Sequence, residues 1–237
     1  GCETTREITF IKDNSGTFTT TTDMSGMIGM AKMSGQGKEM ESMGDKNVDT
    51  TISLDKMADS LEGITAEETA LIKKGKLAMQ LNMADEKFIV KLEFPFSDPG
   101  QISRLEQLSS KLFQKTLKEQ MASTGEENAA PGMPADSLPQ GSIEEYFTTT
   151  YAKGVIEKKL NKEKYAGVEN DEGMKALKEM SGMGIGNNTL IINLPKPAKK
   201  VDGKNIKLSD DKRKVTITSS AEDFFDDAAG MEFKIEY

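Results

Sequence analysis

Ile8 and Phe10 alternate with polar neighbours, Asp13-Asn14-Ser15-Gly16 supplies turn chemistry, and Phe18, Thr20, Thr22 and Met24 alternate again, so residues 7–24 predict a β-hairpin. A second hairpin is predicted over 76–94: Leu77, Met79, Leu81 and Met83 share one face, Ala84-Asp85-Glu86 turns, and Phe88, Val90, Leu92 and Phe94 share a face on the return. Alternation of period two fixes the register, because a slip by one residue turns every apolar side chain outward. Immediately afterwards Ile102, Leu105, Leu108, Leu112, Phe113, Leu117 and Met121 recur at helical spacing, behind Asp98 as cap, Pro99 in the first turn and Gln101 three residues after the cap. This is the best-defined helix of the chain, and it is expected to lie along a sheet.

The remaining elements follow from weaker patterns. The Met- and Gly-rich segment from Ser25 to Met43 has helical apolar spacing, but Gly26, Gly29, Gly35 and Gly37 each weaken a helix by up to about 1 kcal/mol. Residues 50–54 predict a short strand and 55–74 two short helices, the second opened by the capping box Thr65-x-x-Glu68. Residues 122–141, with Pro131, Pro134 and Pro139 and few large apolar residues, predict a mobile loop. Strands are expected at 146–151 and 155–160 about a Lys153-Gly154 turn, with a helix begun at Ser142-x-x-Glu145 as the rival reading. A short helix near 171–180 precedes a strand carrying Leu190, Ile192 and Leu194, and strands at 204–208, 213–218 and 231–237 close the chain, with a short acidic helix between the last two. Hairpins joined by helices imply the α+β class: an antiparallel β-sheet built from hairpins, with helices packed on one face. One domain over 7–237, interrupted by the loop at 122–141, is expected, because half the chain would leave each hairpin few partners; residues 1–6 form a tether.

Composition narrows the function. At 237 residues, with 36% hydrophobic and 30% charged, the chain can build a continuous core and remain very soluble. Its net charge of −8 repels phosphate backbones and argues against nucleic acid as a partner. No apolar run approaches the roughly 18 residues of a membrane-spanning helix. Cys2, the only cysteine, rules out an internal disulfide and a Cys-cluster metal site. Placed after Gly1 and before the polar Glu3-Thr4-Thr5, it resembles the lipid-modified cysteine left when the signal peptide of a bacterial lipoprotein is removed. The expected location is the bacterial cell envelope, periplasmic or outer-membrane, with the membrane as partner through acylated Cys2.

Two stretches extend that resemblance. Cys2 with Glu7-Ile8-Thr9-Phe10 and Asn14-x-Gly16-Thr17-Phe18 at one end, and Leu190-x-Ile192-x-Leu194-Pro195, Val201-Asp202-Gly203 and Val215-x-Ile217 at the other, resemble small envelope lipoproteins of uncharacterised function, including Bacteroidetes lipoproteins and, more distantly, the mycobacterial LppM type. They cover about a quarter of the chain and are turn-and-strand patterns of low specificity. The aromatic usual on the Val215 strand is missing, since the chain has no Trp. The resemblance implies an envelope location and an α+β sheet fold, with lipid binding for the distant relatives, and carries no catalytic residues.

The residues offer little catalytic chemistry. With no His and no G-x-S-x-G, a His-assisted triad or an ordinary zinc site cannot be built, leaving carboxylates as the only acid–base groups. Glu222, Asp223, Asp226 and Asp227 crowd one short helix; they lack an EF-hand loop and read as a solvated acidic helix start. Gly182-x-Gly184-x-Gly186 follows a helix and precedes a strand, the reverse of a phosphate loop. Asp49-Thr50-Thr51, Asp59-Ser60-Leu61 and Asp136-Ser137-Leu138 resemble short O-glycosylation sequons, of which the one in the loop is the best placed. Lysines and one arginine between Lys196 and Lys214 form a basic stretch that suits anionic headgroups or a protected sheet edge equally well. Among fifteen methionines, Met24, Met27, Met30, Met33, Met40 and Met43 fall close together, the first four as candidate contact residues. Thioethers bind copper(I), but a spacing of three drifts round a helix, so an adaptable apolar contact surface is the preferred reading. The sequence thus leads to a non-enzymatic envelope lipoprotein without cofactor or metal, a binding module for an apolar ligand, lipid or envelope partner; the alternatives are a Met-based copper(I) or silver carrier and a carboxylate-only enzyme.

Overall fold

A computed structural model of the chain describes residues 3–12, 14–33, 47–123, 142–182 and 186–237. The first hairpin consists of β1 (Glu3–Phe10) and β2 (Gly16–Asp23), and the second of β4 (Lys76–Asn82) and β5 (Lys87–Phe96), with β3 (Asn47–Ser53) antiparallel to β4. The hairpins merge because β2 pairs with β5 in a register that sets Phe18 opposite Phe94 and Thr22 opposite Val90, aligning their apolar faces. Gly16 makes the first turn possible. A Cβ there would stand 1.9 Å from the Thr9 carbonyl oxygen and 2.9 Å from the Phe96 ring. Gly16→Ala is therefore expected to lower stability by about 1–3 kcal/mol, measured by urea unfolding.

The fold is α+β and mostly antiparallel, as the alternation implied, but the described residues form two sheets where one was expected. The larger has the order β10-β11-β8-β1-β2-β5-β4-β3, adding β8 (Asn187–Asn193), β10 (Ile206–Leu208) and β11 (Lys214–Ser219). The smaller has the order β6-β7-β12-β9, from β6 (Phe147–Ala152), β7 (Val155–Leu160), β9 (Lys200–Gly203) and β12 (Phe233–Glu236). Tyr151, Ile156, Phe233 and Ile235 explain the second sheet: they share one core with Ile8, Ile192 and Val215, so stacking the sheets buries both apolar faces. One pairing departs from the hairpin logic, since β8 runs parallel to β1. The chain reaches β8 only after β6 and β7 of the small sheet and its helical cap, a crossover long enough for a parallel return.

Helices cover the rest of the large sheet's inner face. After α1 (Ser25–Ala31) come α2 (Asp55–Ser60) and α3 (Ala66–Lys73), whose N-cap Thr65 accepts from the Glu68 N–H at 3.1 Å, one half of the expected capping box. The long helix α4 (Gln101–Ser123) buries Ile102, Leu105, Leu108 and Leu112 and touches β2, β5 and β6. A smaller core of Ile143, Tyr146, Phe147, Met174, Leu177 and Phe224 is built by α5 (Lys162–Ala166), α6 (Glu172–Ser181) and α7 (Ala221–Asp227) with the 3-10 turn Ile143–Tyr146. The expected 204–208 strand proves to be β10, and β9 just ahead of it was not foreseen. Lys204 and Asn205 carry the chain from one sheet to the other, with Asn205 at φ 55°, a left-handed position that Asn tolerates.

The tether boundary also moves. Residues 3–6 belong to β1, because Thr4, Thr5 and Arg6 pair with Thr22, Thr21 and Thr20 on one side and Asn188, Thr189 and Leu190 on the other. Most of the loop expected at 122–141 and most of the Met-rich segment beyond Met33 lie outside the described residues, as do Cys2, Gly184 and the 136–138 sequon.

Candidate functional site

Alternation along β1 places Arg6 on the same inward face as Ile8 and Phe10, and alternation along β7 places Lys158 inward with Ile156. Two cations are thereby built into the space between the sheets. Carboxylates from two other elements meet them: Glu106 of α4 and Glu144 of the 3-10 turn before β6. The Arg6 guanidinium donates to Glu106 Oε1 at 3.3 Å and to Glu144 Oε1 at 3.1 Å, Lys158 Nζ donates to Glu144 Oε1 at 3.0 Å, and Tyr151 Oη donates to Glu106 Oε1 at 2.6 Å. Lys158 also lies 4.4 Å above the Phe147 ring, a cation–π contact. Arg6 is 12% and Lys158 6% exposed in their side chains, so these charges are largely removed from water.

The two carboxylates respond oppositely to that setting. Burial alone raises Glu144, but Arg6 and Lys158 outweigh it and hold the carboxyl down at about 2. Burial also raises Glu106, where Arg6 offsets it only in part and Glu144 adds to it, so its pKa lies above the ordinary value. Tyr151 is pushed well above its ordinary value by burial and then by Glu106. For Arg6 the two carboxylates outweigh desolvation and secure the positive charge. Thr20 stands across from Arg6 on β2, and its Oγ1 is buried with no hydrogen-bond partner among the described residues. Thr20→Val, which keeps the shape and removes that hydroxyl, is expected to raise stability by up to about 1 kcal/mol in urea unfolding.

The outward face of the large sheet has a different character. Thr218, Thr189, Thr5 and Thr21 form one continuous rung across β11, β8, β1 and β2, and Thr216, Ile191, Glu7 and Thr19 form the next. A third carries Asn193, Thr9 and Thr17, with Asn193 Nδ2 donating to Glu7 Oε1 at 2.8 Å and to Thr9 Oγ1 at 3.0 Å. None of these residues is buried. Charged residues frame this patch: Lys214 ends the third rung on β11, Glu3 and Asp23 pair beyond the first, and β5 sets Lys91 and Glu93 beside Thr21 and Thr19, leaving Glu7 as the one charge among the eleven positions.

Compared with family models, curated proteins and solved structures, the chain matches none.

The residues singled out from sequence are dispersed. Met24 is a core residue, 2% exposed, whereas Met33 is 89% exposed, so these two do not share a contact surface; the side chains of Met27 and Met30 lie outside what is described. Among the described side chains of α1, Ile28 packs in a small cluster with Met83. Two acids of the 222–227 helix have structural work: Ser220 and Asp223 close a capping box, and Asp227 pairs with Lys204 at 2.8 Å. Among the described residues no group of three or more His, Cys, Asp or Glu is placed to share a metal ion, and no helix is long and apolar enough to cross a membrane. The Arg6 cluster was missed in the sequence, although it left a signal: Arg6 and Lys158 each occupy an inward position of an alternating strand.

Proposed function

We propose that this protein is a non-enzymatic binding module of the bacterial cell envelope, held at a membrane by an acylated Cys2, that presents the open face of its eight-stranded sheet to a macromolecular envelope partner. The observation that supports the reading is the threonine array across β11, β8, β1 and β2. A β-branched side chain has few rotamers to lose on contact, and each hydroxyl both donates and accepts, so such a surface meets a polar partner at small entropic cost. Long charged side chains, the usual occupants of a solvated sheet face, would resist the same contact. The sheet itself is rigid, with β1 at its centre, paired on both sides. Cys2 precedes β1 by no residue at all, so an acyl group there would hold the sheet directly against the bilayer surface.

Two measurements test the reading. Cys2→Ala is expected to move the protein from the membrane to the soluble fraction and to remove a lipid mass from its N-terminal peptide; unchanged fractionation rejects the anchor. A photo-crosslinking residue in place of Thr5, Thr19 or Thr21 is expected to give a discrete adduct in cells, suppressed by Thr189→Arg, while the same residue at Thr148 or Lys159, exposed on the small sheet, gives none. Equal adducts from both sheets, or adducts only near Met33, would sink the assignment to this face.

A further inference from the structure

Above the Arg6–Lys158 pair a narrow cleft opens between the two sheets at the corner where β9 passes into β10. Its polar lining is one-sided: Arg6 and Lys158 at the inner end, Lys204 and Asn205 at the corner, Asn188, Thr218 and Ser219 on the large sheet, and among the described residues no Asp or Glu. The carboxylates that balance these cations lie behind or outside it. Glu144 and Glu106 approach from the turn before β6 and from α4, and Asp227 holds Lys204 in a pair whose side chains are 70% and 56% exposed, loosely enough to exchange. The inner cations also have donors to spare. Among the described residues Lys158 gives one hydrogen bond, to Glu144, out of three N–H groups, and Arg6 gives two out of five. Leu190 and Ile217 on one wall and Phe233 on the other supply the apolar part of the lining. The space is about 20 Å³, room for one or two water-sized atoms.

We propose that this cleft is a binding site for a carboxylate, received end-on by the Arg6, Lys158 and Lys204 side chains and steadied by the amides of Asn188 and Asn205. Cations with unspent donors in a partly apolar cleft make strong charge-assisted bonds to an oxyanion. In so narrow a space the smaller oxyanion is preferred, and a carboxylate brings two oxygens where a phosphate monoester brings three. The site opens on the inner side of the sheet whose outer side carries the threonine rungs, and the two meet at Thr218, which lines the cleft.

The test is a titration of isotope-labelled protein with sodium acetate at constant ionic strength, following the side-chain N–H signals of Arg6, Asn188 and Asn205. These are expected to move together on one saturating curve, while Lys159 and Lys234 on the outer face of the small sheet stay fixed. Lys204→Gln is expected to weaken acetate binding about threefold to fivefold, the effect of one partly exposed charge, and Lys204→Arg to restore it, with the circular dichroism spectrum unchanged in both. A short peptide with a free C-terminal carboxylate, compared with its amide, and octanoate, compared with acetate, then distinguish a chain terminus from an amphiphile as the carboxylate's source. Shifts that never saturate, shifts equal in Lys204→Gln, or phosphate binding as tightly as acetate would each overturn the proposal.

Discussion

Arg6→Met is expected to destabilise the protein by about 3–5 kcal/mol, the largest single effect of any substitution proposed here, because it leaves Glu106 buried without a cation and takes from Glu144 one of its two. The loss should appear as a lower urea midpoint at unchanged slope. Its origin is separable from packing, since Met fills much of the space of the arginine stem. In Arg6→Met/Glu106→Gln the unpaired carboxylate is gone while the Glu144–Lys158 pair persists, and this double variant is expected to recover at least half of the lost stability. The single variant is also expected to lose less at pH 5 than at pH 7, because a Glu106 freed of Arg6 takes up a proton more readily. An Arg6→Met variant within 1 kcal/mol of the parent, or a double variant no better than the single, would show that the cluster contributes little.

That cluster also marks how far the sequence could be read. Period-two alternation located both leading hairpins, and the Thr65 and Asp98 signals placed α3 and α4, because those elements are decided by neighbours a few residues apart. Which strands become partners is decided by contacts across the chain. The parallel β1–β8 pairing joins residues more than 180 positions apart, and no local pattern distinguishes it from an antiparallel one. For the same reason one sheet was expected where there are two: the strands at 155–160 and 231–237 show no local sign that their sheet lies across the core from the other. The threonines of β1 and β2 were visible as the polar half of a hairpin, yet their rungs exist only once β8 and β11 supply Thr189, Thr216 and Thr218. The inward Arg6, Glu106 and Lys158 were individually legible as breaks in an apolar face. Their meeting point was not, since Glu106 and Glu144 come from different elements brought together only by packing α4 beside β6.

Acid is expected to act on this fold in two stages of opposite sign. Glu106 has a folded pKa above its ordinary value, so its contribution is fully present below the unfolded value and is lost as the pH rises through the folded one. Lowering the pH from 7 therefore first increases stability as Glu106 takes up its proton in the folded protein. Glu144 follows the other rule. Its folded carboxyl titrates at about 2 against an ordinary 4.5, so its contribution is complete above about 4.5 and disappears as the pH falls towards 2. That difference corresponds to roughly 3 kcal/mol. Asp171, lowered chiefly by the Tyr146 hydroxyl that donates to it at 2.7 Å, and Asp23, lowered chiefly by Ser25, lose stability in the same direction. Urea unfolding at a series of pH values should show a maximum on the acid side of neutrality and a steep fall below about 4.5. Glu106→Gln is expected to remove the rise alone. Glu144→Gln, which leaves Lys158 buried beside a neutral amide, is expected to lower stability at pH 7 by about 2–3 kcal/mol and to flatten the fall below 4.5. If Glu144→Gln instead kept the parent's full pH dependence, the acid sensitivity would belong to exposed carboxylates and the charge cluster would have no part in it.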